Sequence, residues 1–257
     1  MDNVKFFFVI GTGCSATTWL YQTLQNIPET QIEMYWCFWE DLKEIDRAYN
    51  SEQEASKYIE DYRKPRMLHR LKRGIRTYGE INGMLRWHCA ALKQAFPSAT
   101  IVQLVRDGRA WVRSMMAREC RFHPNFAMED VTTRYMRPKD GDKCYERWDS
   151  MSRFEKICWE WARTNEYIRQ CLGKEIVQME RMLADFSYFR TYLITPFGLE
   201  ISEKLWTERI KVEGKPDRRV VMPHYSEWDD KILREFNEIC SDEMLACGYG
   251  GDYDSFS

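Results

Sequence analysis

Two short stretches of this chain combine residue types that can hold phosphate. In the first, Gly11-Thr12-Gly13-Cys14-Ser15-Ala16-Thr17-Thr18-Trp19 follows the apolar run Phe6 to Ile10. Glycines let a loop turn tightly and turn backbone N–H groups toward a ligand. The hydroxyls of Ser15, Thr17 and Thr18 add donors at the positive end of a following helix. Strand, glycine loop and helix start make an anion site suited to a phosphate-like group, although a plain β-to-α turn without a ligand has the same outline. In the second stretch, Arg106-Asp107-Gly108-Arg109 follows the apolar run Thr100 to Val105, and Ser114 comes on the next helix. A guanidinium fork and a hydroxyl converging there would hold another phosphate. Two separate anion sites suggest a nucleotide phosphorylated at two places. A Walker A loop would need a second glycine and a lysine. The window Gly11 to Thr18 offers Ala16-Thr17-Thr18 instead, which disfavours an ordinary ATP or GTP hydrolase.

Both stretches repeat one arrangement: apolar strand, polar turn, helix. That alternation predicts an α/β fold, a single domain over 1–257 with a central parallel sheet flanked by helices. Ligands of such sheets sit at the carboxyl ends of the strands, so both polar turns are expected on one rim. The pattern predicts a first helix over about 17–26, stopped by Ile27-Pro28-Glu29, and an aromatic-rich segment from Gln31 to Trp39. Residues 40–63 have helical apolar spacing, and 66–76 is a basic segment that reads as a solvated helix face or a surface for an anionic ligand. Tyr78 to Gly83 leads into a helical stretch from Met84 to Phe96, and a helix from Ala110 to Ala117 follows the second turn. Residues 120–147 form a surface excursion, a lid or an acceptor-binding loop. A long amphipathic helix spans Trp148 to Leu172, with Trp159 and Trp161 facing the core rather than a ligand, and Gly173 stops it. A third strand is expected over Glu175 to Met179, then mainly helix over Glu180–Leu199 and Ile201–Ile210. A basic loop from Lys211 to Tyr225 precedes a last helix capped by Ser226.

The composition, 44% hydrophobic and 30% charged over 257 residues, is that of a globular domain with a full core. No apolar run approaches the roughly 18 residues of a membrane span. Met1-Asp2 leads directly toward a strand, with no basic or apolar leader. A cytoplasmic protein is the expectation, and modification of secreted polymers in a Golgi-type compartment is disfavoured. The nine cysteines are scattered and include no CxxC pair, which fits reduced thiols rather than a metal site or a disulfide framework. A net charge of -2 argues against broad binding to nucleic acid.

IGTGCSATTWL followed by IVQLVRDGRAWVRSMM resembles the two signature motifs of the sulfotransferases that use 3′-phosphoadenosine-5′-phosphosulfate (PAPS). Looser similarity continues through VQMERMLADF (177–186) and EWDDKILREFNEICSDEMLACGY (227–249). The resemblance implies a P-loop-like strand-loop-helix and sulfuryl transfer to a hydroxyl or amine, with adenosine 3′,5′-bisphosphate (PAP) released and no metal required. It places the 5′-phosphosulfate on Gly11, Gly13, Cys14, Ser15, Ala16, Thr17, Thr18 and Trp19, and the 3′-phosphate on Arg106 and Ser114. Arg218 and Arg219 match a further 3′-phosphate clamp by position only. The family takes the acceptor's proton with a histidine or glutamate before the second motif. Glu80 is the first candidate here, His88 the second, and Glu33 a third. Two positions depart from the pattern. Cys14 stands where the family usually has lysine or arginine, and Ala16 where it usually has glycine. A cation from Arg218-Arg219 or from 66–76 is expected to substitute; Cys14 itself is a loop filler or, less simply, a nucleophile. The acceptor, whether a small molecule, a lipid or a saccharide, and the oligomeric state are not legible. Two other readings stay open: a small-molecule kinase with a degenerate phosphate loop, and a nucleotide-binding relative without turnover.

Overall fold

The structure, a computed structural model, describes residues 4–117, 136–173, 176–211 and 222–250. Five parallel strands form the sheet, in the order β2-β3-β1-β4-β5: β1 (Lys5–Ile10), β2 (Thr30–Glu33), β3 (Thr77–Ile81), β4 (Thr100–Val105) and β5 (Val177–Gln178). β1 lies in the middle because its aromatic and β-branched residues can be covered on both faces. Phe7, Phe8, Val9 and Ile10 are all within 1% of full burial, each contributing about 1.5–3 kcal/mol of apolar transfer. The Phe7 ring stacks on Phe197 at 3.8 Å. Leu20, Leu24, Ile81, Leu104 and Phe189 close the same core. After β1 the chain builds β2 and β3 on one side, then crosses to β4 on the other. The carboxyl end of β1 is therefore the switch point of the sheet, where open α/β sheets leave a crevice.

By internal contacts the chain forms two compact units, Met1–Val105 with Tyr167–Gly214, and Arg106–Glu166 with Lys215–Ser257. The first holds the whole sheet. It also carries helices α1 (Thr17–Leu24), α2 (Phe38–Asn50), α3 (Glu52–Lys57), α4 (Lys64–Arg70) and α5 (Cys89–Ala95), with a π-helical turn at Tyr58–Arg63 and a 3-10 turn at Gly83–His88. The second holds α6 (Gly108–Met116), most of the helix Arg153–Leu172, and the helix Asp230–Ala246. Trp159 and Trp161 are buried, as expected of core positions.

Several boundaries differ from the expected ones for physical reasons. β2 and β3 were not expected; both pair in parallel register, Thr30 with Thr77 and Lys5 with Thr77. Of the expected third strand, Val177–Gln178 form β5 among the described residues, and Met179 already begins a helix. The expected helix from Met84 begins as a 3-10 turn capped by Asn82, whose side chain accepts from the Met84 N–H at 2.9 Å. The last helix starts at Asp230 with Asp229 as cap, because Ser226 is taken up in a 3-10 turn over Tyr225–Glu227. No helix among the described residues is long and apolar enough to cross a membrane.

Candidate functional site

The loop after β1 has a backbone that side-chain geometry alone would not favour. Gly13, Cys14 and Ala16 all have left-handed φ, at 71°, 52° and 56°. Two of them are not glycine, so the loop stores strain of roughly 1–2 kcal/mol at each. Such tight turns, built from left-handed residues, can direct backbone N–H groups toward an anion. Ala16 is the N-cap residue of α1 and provides no side-chain cap. The first N–H groups of α1 are thus left for a ligand. The Thr12 hydroxyl and the Trp19 Nε1 are buried with no partner among the described residues. Ser15 Oγ donates to the Gly13 carbonyl at 2.9 Å and braces the turn. Gly11 has to be glycine: a Cβ there would lie 2.2 Å from the Leu104 carbonyl oxygen of the neighbouring strand. A helix start without a side-chain cap, a left-handed glycine loop and an orphaned hydroxyl fit the phosphate end of a nucleotide.

Behind the loop lies a buried ionic network. Asp41 of α2, Arg63 of the π-helical turn and Glu80 of β3 are all at most 2% exposed. Arg63 Nε donates to Asp41 Oδ1 at 2.7 Å and Nη2 to Oδ2 at 3.0 Å, while Nη1 donates to Glu80 Oε2 at 2.7 Å and Nη2 to Oε1. Asn82 Nδ2 joins both carboxylates, at 2.8 and 2.9 Å. Tyr58 donates to Asp41 at 2.7 Å, and Trp36 Nε1 to Glu80 Oε2 at 3.2 Å. Burial works against the Arg63 charge, but Glu80 and Asp41 more than offset it and hold the guanidinium above its ordinary range. The network fixes Asn82, whose own N–H donates to the Val9 carbonyl at 2.9 Å. Asn82 in turn sets Gly83 against the loop, where a Cβ would come within 3.1 Å of the Gly11 oxygen and 3.2 Å of the Gly13 nitrogen. The buried polar network therefore holds Asn82 and Gly83 in place against the loop after β1.

The two expected bases lie in or against this network. Glu80 is fully buried, and its four acceptor sites are filled by Arg63 twice, Asn82 and Trp36. It accepts a proton only if one of these donors leaves. His88 is fully buried against the Tyr58 ring, and neither ring nitrogen has a partner among the described residues. Burial lowers its pKa to about 3, with Asp41 opposing and Arg63 and Arg86 reinforcing the shift. Glu33 ends β2, where its carboxylate accepts from Gln31 at 2.8 Å.

Two residues that sequence reasoning passed over belong to the loop. Tyr35 adopts φ 53°, rare for so bulky a residue. Burial raises its phenol's pKa against hydrogen bonds to the Thr17 side chain and the Gly83 backbone; Cys14 raises it further and Arg86 lowers it. Arg86 Nη1 donates to the Gly83 carbonyl at 3.2 Å. Tyr35 lies in the aromatic-rich segment from Gln31 to Trp39, where nothing in the spacing singles it out, and no spacing rule reaches Arg86.

In the second unit, Arg106 and Ser114 are both half-buried. The Arg106 carbonyl accepts from Trp161 Nε1 at 3.1 Å, and Asp107 caps α6 through the Arg109 N–H at 2.8 Å while pairing with the Arg109 guanidinium. Gly108 lets α6 approach Trp161 and Met244, 3.1 and 3.0 Å from where a Cβ would stand. Ser114 thus lies on a helix anchored at its start. Arg218 and Arg219 lie outside the described residues, as does most of the excursion expected over 120–147.

Residues 7–187 match the family described as a sulfotransferase domain. No curated protein matches the chain. Among solved structures, a sulfotransferase from Alicyclobacillus acidocaldarius is 14% identical, with 95% of this chain and 94% of that one covered at a TM-score of 0.54. A mouse sulfotransferase complexed with PAP is likewise 14% identical, with 96% and 86% covered at a TM-score of 0.52. At such identities these structures speak for the fold, a parallel α/β sheet with a P-loop-like strand-loop-helix. With seven-tenths of its length matched, from the first strand to beyond the last, the chain belongs to the sulfotransferase domain family.

Proposed function

We propose that the chain is a PAPS-dependent sulfotransferase acting on a hydroxyl or amine of a small-molecule, lipid or saccharide acceptor. The observation that carries this reading is the loop Gly11–Trp19, with its left-handed residues, its uncapped helix start and its orphaned Thr12 hydroxyl. PAPS, when bound, supplies the sulfuryl group and leaves as PAP. The loop's N–H groups and the hydroxyls of Thr12, Thr17 and Thr18 hold the 5′ end. Arg106 and Ser114 hold the 3′-phosphate, with Arg218 and Arg219 as a further clamp. Trp19 closes the first turn of α1 beside the loop. Glu80 is the proposed proton acceptor, acting through Oε2, where the Trp36 contact at 3.2 Å is the longest of its four. An acceptor hydroxyl displacing Trp36 would open that lone pair. His88 is the alternative, and it would first have to be uncovered.

A nucleotide-binding relative without turnover is the second reading, and Cys14 in place of the usual cation favours it. Thermal-shift titration tests the donor assignment. PAP should raise the melting temperature more than ATP or AMP at equal concentration, with or without magnesium. A larger shift with Mg-ATP points to a kinase and overturns the assignment.

A further inference from the structure

The loop that should bear the donor's charge brings no cation of its own, since Cys14 stands where a lysine or arginine would be expected. We propose that Arg86 supplies this charge, with its guanidinium on the 5′-phosphate end of the donor. The inference rests on the reading of the chain as PAPS-dependent.

Position comes first. Gly83 is pressed onto the loop so closely that an added Cβ would stand 3.1 Å from the Gly11 oxygen and 3.2 Å from the Gly13 nitrogen. Gly83 opens the 3-10 turn Gly83–His88, in which side chains three residues apart lie one above the other. Arg86 is that third residue, and its Nη1 reaches back to the Gly83 carbonyl at 3.2 Å. The guanidinium is therefore held over the glycine that touches the loop. A third group reports on the same place. Burial raises the pKa of the Tyr35 phenol, with Thr17, Arg86 and Gly83 acting against that shift and Cys14 with it.

Rigidity comes next. The turn carrying Arg86 is capped by Asn82, which is locked to Asp41 and Glu80 at 2.8 and 2.9 Å. A charge fixed in advance, half-buried and away from bulk water, stabilises a developing anion more than a flexible surface lysine would. In the reaction, Arg86 faces the phosphate oxygen that keeps the electron pair of the breaking S–O bond. The sulfuryl group passes to the acceptor's oxygen or nitrogen, and the acceptor's proton goes to the base. The sequence-based candidates, Arg218-Arg219 and the 66–76 segment, are then not needed for this charge.

Calorimetric titration with PAP and with adenosine 3′-monophosphate, which lacks the 5′-phosphate, separates the outcomes. Arg86→Gln keeps a donor for the Gly83 carbonyl and should weaken PAP binding by about ten- to a hundredfold. Its affinity for adenosine 3′-monophosphate should change by less than about twofold, within the error of one weak contact. Adding Cys14→Lys to Arg86→Gln should restore most of the PAP affinity, because it returns the charge from the loop itself. Unchanged PAP affinity, an equal loss for both ligands, or no recovery with Cys14→Lys would overturn the assignment of Arg86. Should Arg86→Gln fail to fold, Arg86→Lys carries the same comparison, with a smaller PAP-selective loss expected and an equal loss for both ligands refuting the proposal. If the unaltered protein binds neither ligand, the PAPS reading itself falls and Arg86 falls with it.

Discussion

Replacing Arg63 with methionine should be among the most damaging single changes available in this protein. The guanidinium is 2% exposed and donates four hydrogen bonds to Asp41 and Glu80, both fully buried. Methionine fills much of the volume but leaves two carboxylates facing each other without a cation. Breaking a buried ion pair in this way costs about 3–5 kcal/mol, a large part of the 5–15 kcal/mol that typically separates folded from unfolded chains. For a chain of this size that corresponds to a fall in melting temperature of roughly 6–20 °C. The assay is urea unfolding followed by tryptophan fluorescence, and the control is the neutral triple variant Arg63→Met, Asp41→Asn, Glu80→Gln. Removing all three charges takes away the uncompensated burial, so the triple variant should recover at least half of the lost stability. The reasoning fails if Arg63→Met costs less than about 1 kcal/mol, the range of an exposed pair, or if the triple variant is no more stable than the single one.

Three further outcomes follow from the same geometry. His88 has a folded-state pKa of about 3, below its ordinary value, so the unfolded chain binds more protons between about pH 6.5 and 3. Its contribution therefore subtracts about 1.4 kcal/mol of stability per pH unit as pH falls through that window. His88→Leu should flatten this acid limb and gain about 1 kcal/mol at pH 7 by removing an orphaned polar ring; an unchanged limb, measured by denaturation at pH 7 and 5, contradicts the assignment. Ala16→Gly should stabilise the protein by about 0.5–1 kcal/mol, the left-handed strain relieved less the added chain entropy, and a loss of stability would show that the Ala16 methyl is needed. Glu80→Gln should abolish sulfuryl transfer while PAP still raises the melting temperature; near-normal turnover removes Glu80 as the base.

The fold was legible where strands are uniformly apolar and illegible where a strand's odd residues are explained by distant partners. β1 and β4 could be read from KFFFVI and TIVQLV because burial on both faces demands unbroken apolar runs. β3 reads TYGEI, and its glycine and glutamate look like a turn. Gly79 is there because the Phe7 ring fills its space, 2.0 Å from where a Cβ would be. Glu80 is tolerated there because Arg63, from the connection between β2 and β3, donates to it. Neither compensation leaves a mark within five residues. The basic segment reads as a solvated face, and its neighbour shows the limit of that reading. Arg66 and Arg70 are exposed, as a solvated face requires, whereas Arg63, just before the segment, is the buried hub. The stretch expected as mainly helix over Glu180–Leu199 is broken into short pieces by a π-helical turn at Arg190–Ile194 and a left-handed Gly198. At the site, the loop residues could be named from their types, but the departure of Ala16 from glycine acquired a meaning only with its φ of 56°. Arg86 reaches the loop through Gly83, a contact made by folding rather than by spacing.

The central claim is that this chain draws a sulfuryl group from PAPS, and the fate of PAPS itself tests it most directly. Purified protein incubated with PAPS and a mixed panel of phenols, alcohols, amines and saccharides should convert PAPS to PAP, followed by chromatography, with sulfated acceptor formed in equal amount and ATP left intact in a parallel reaction. PAPS remaining whole with every acceptor, or ATP consumed in its place, would contradict it.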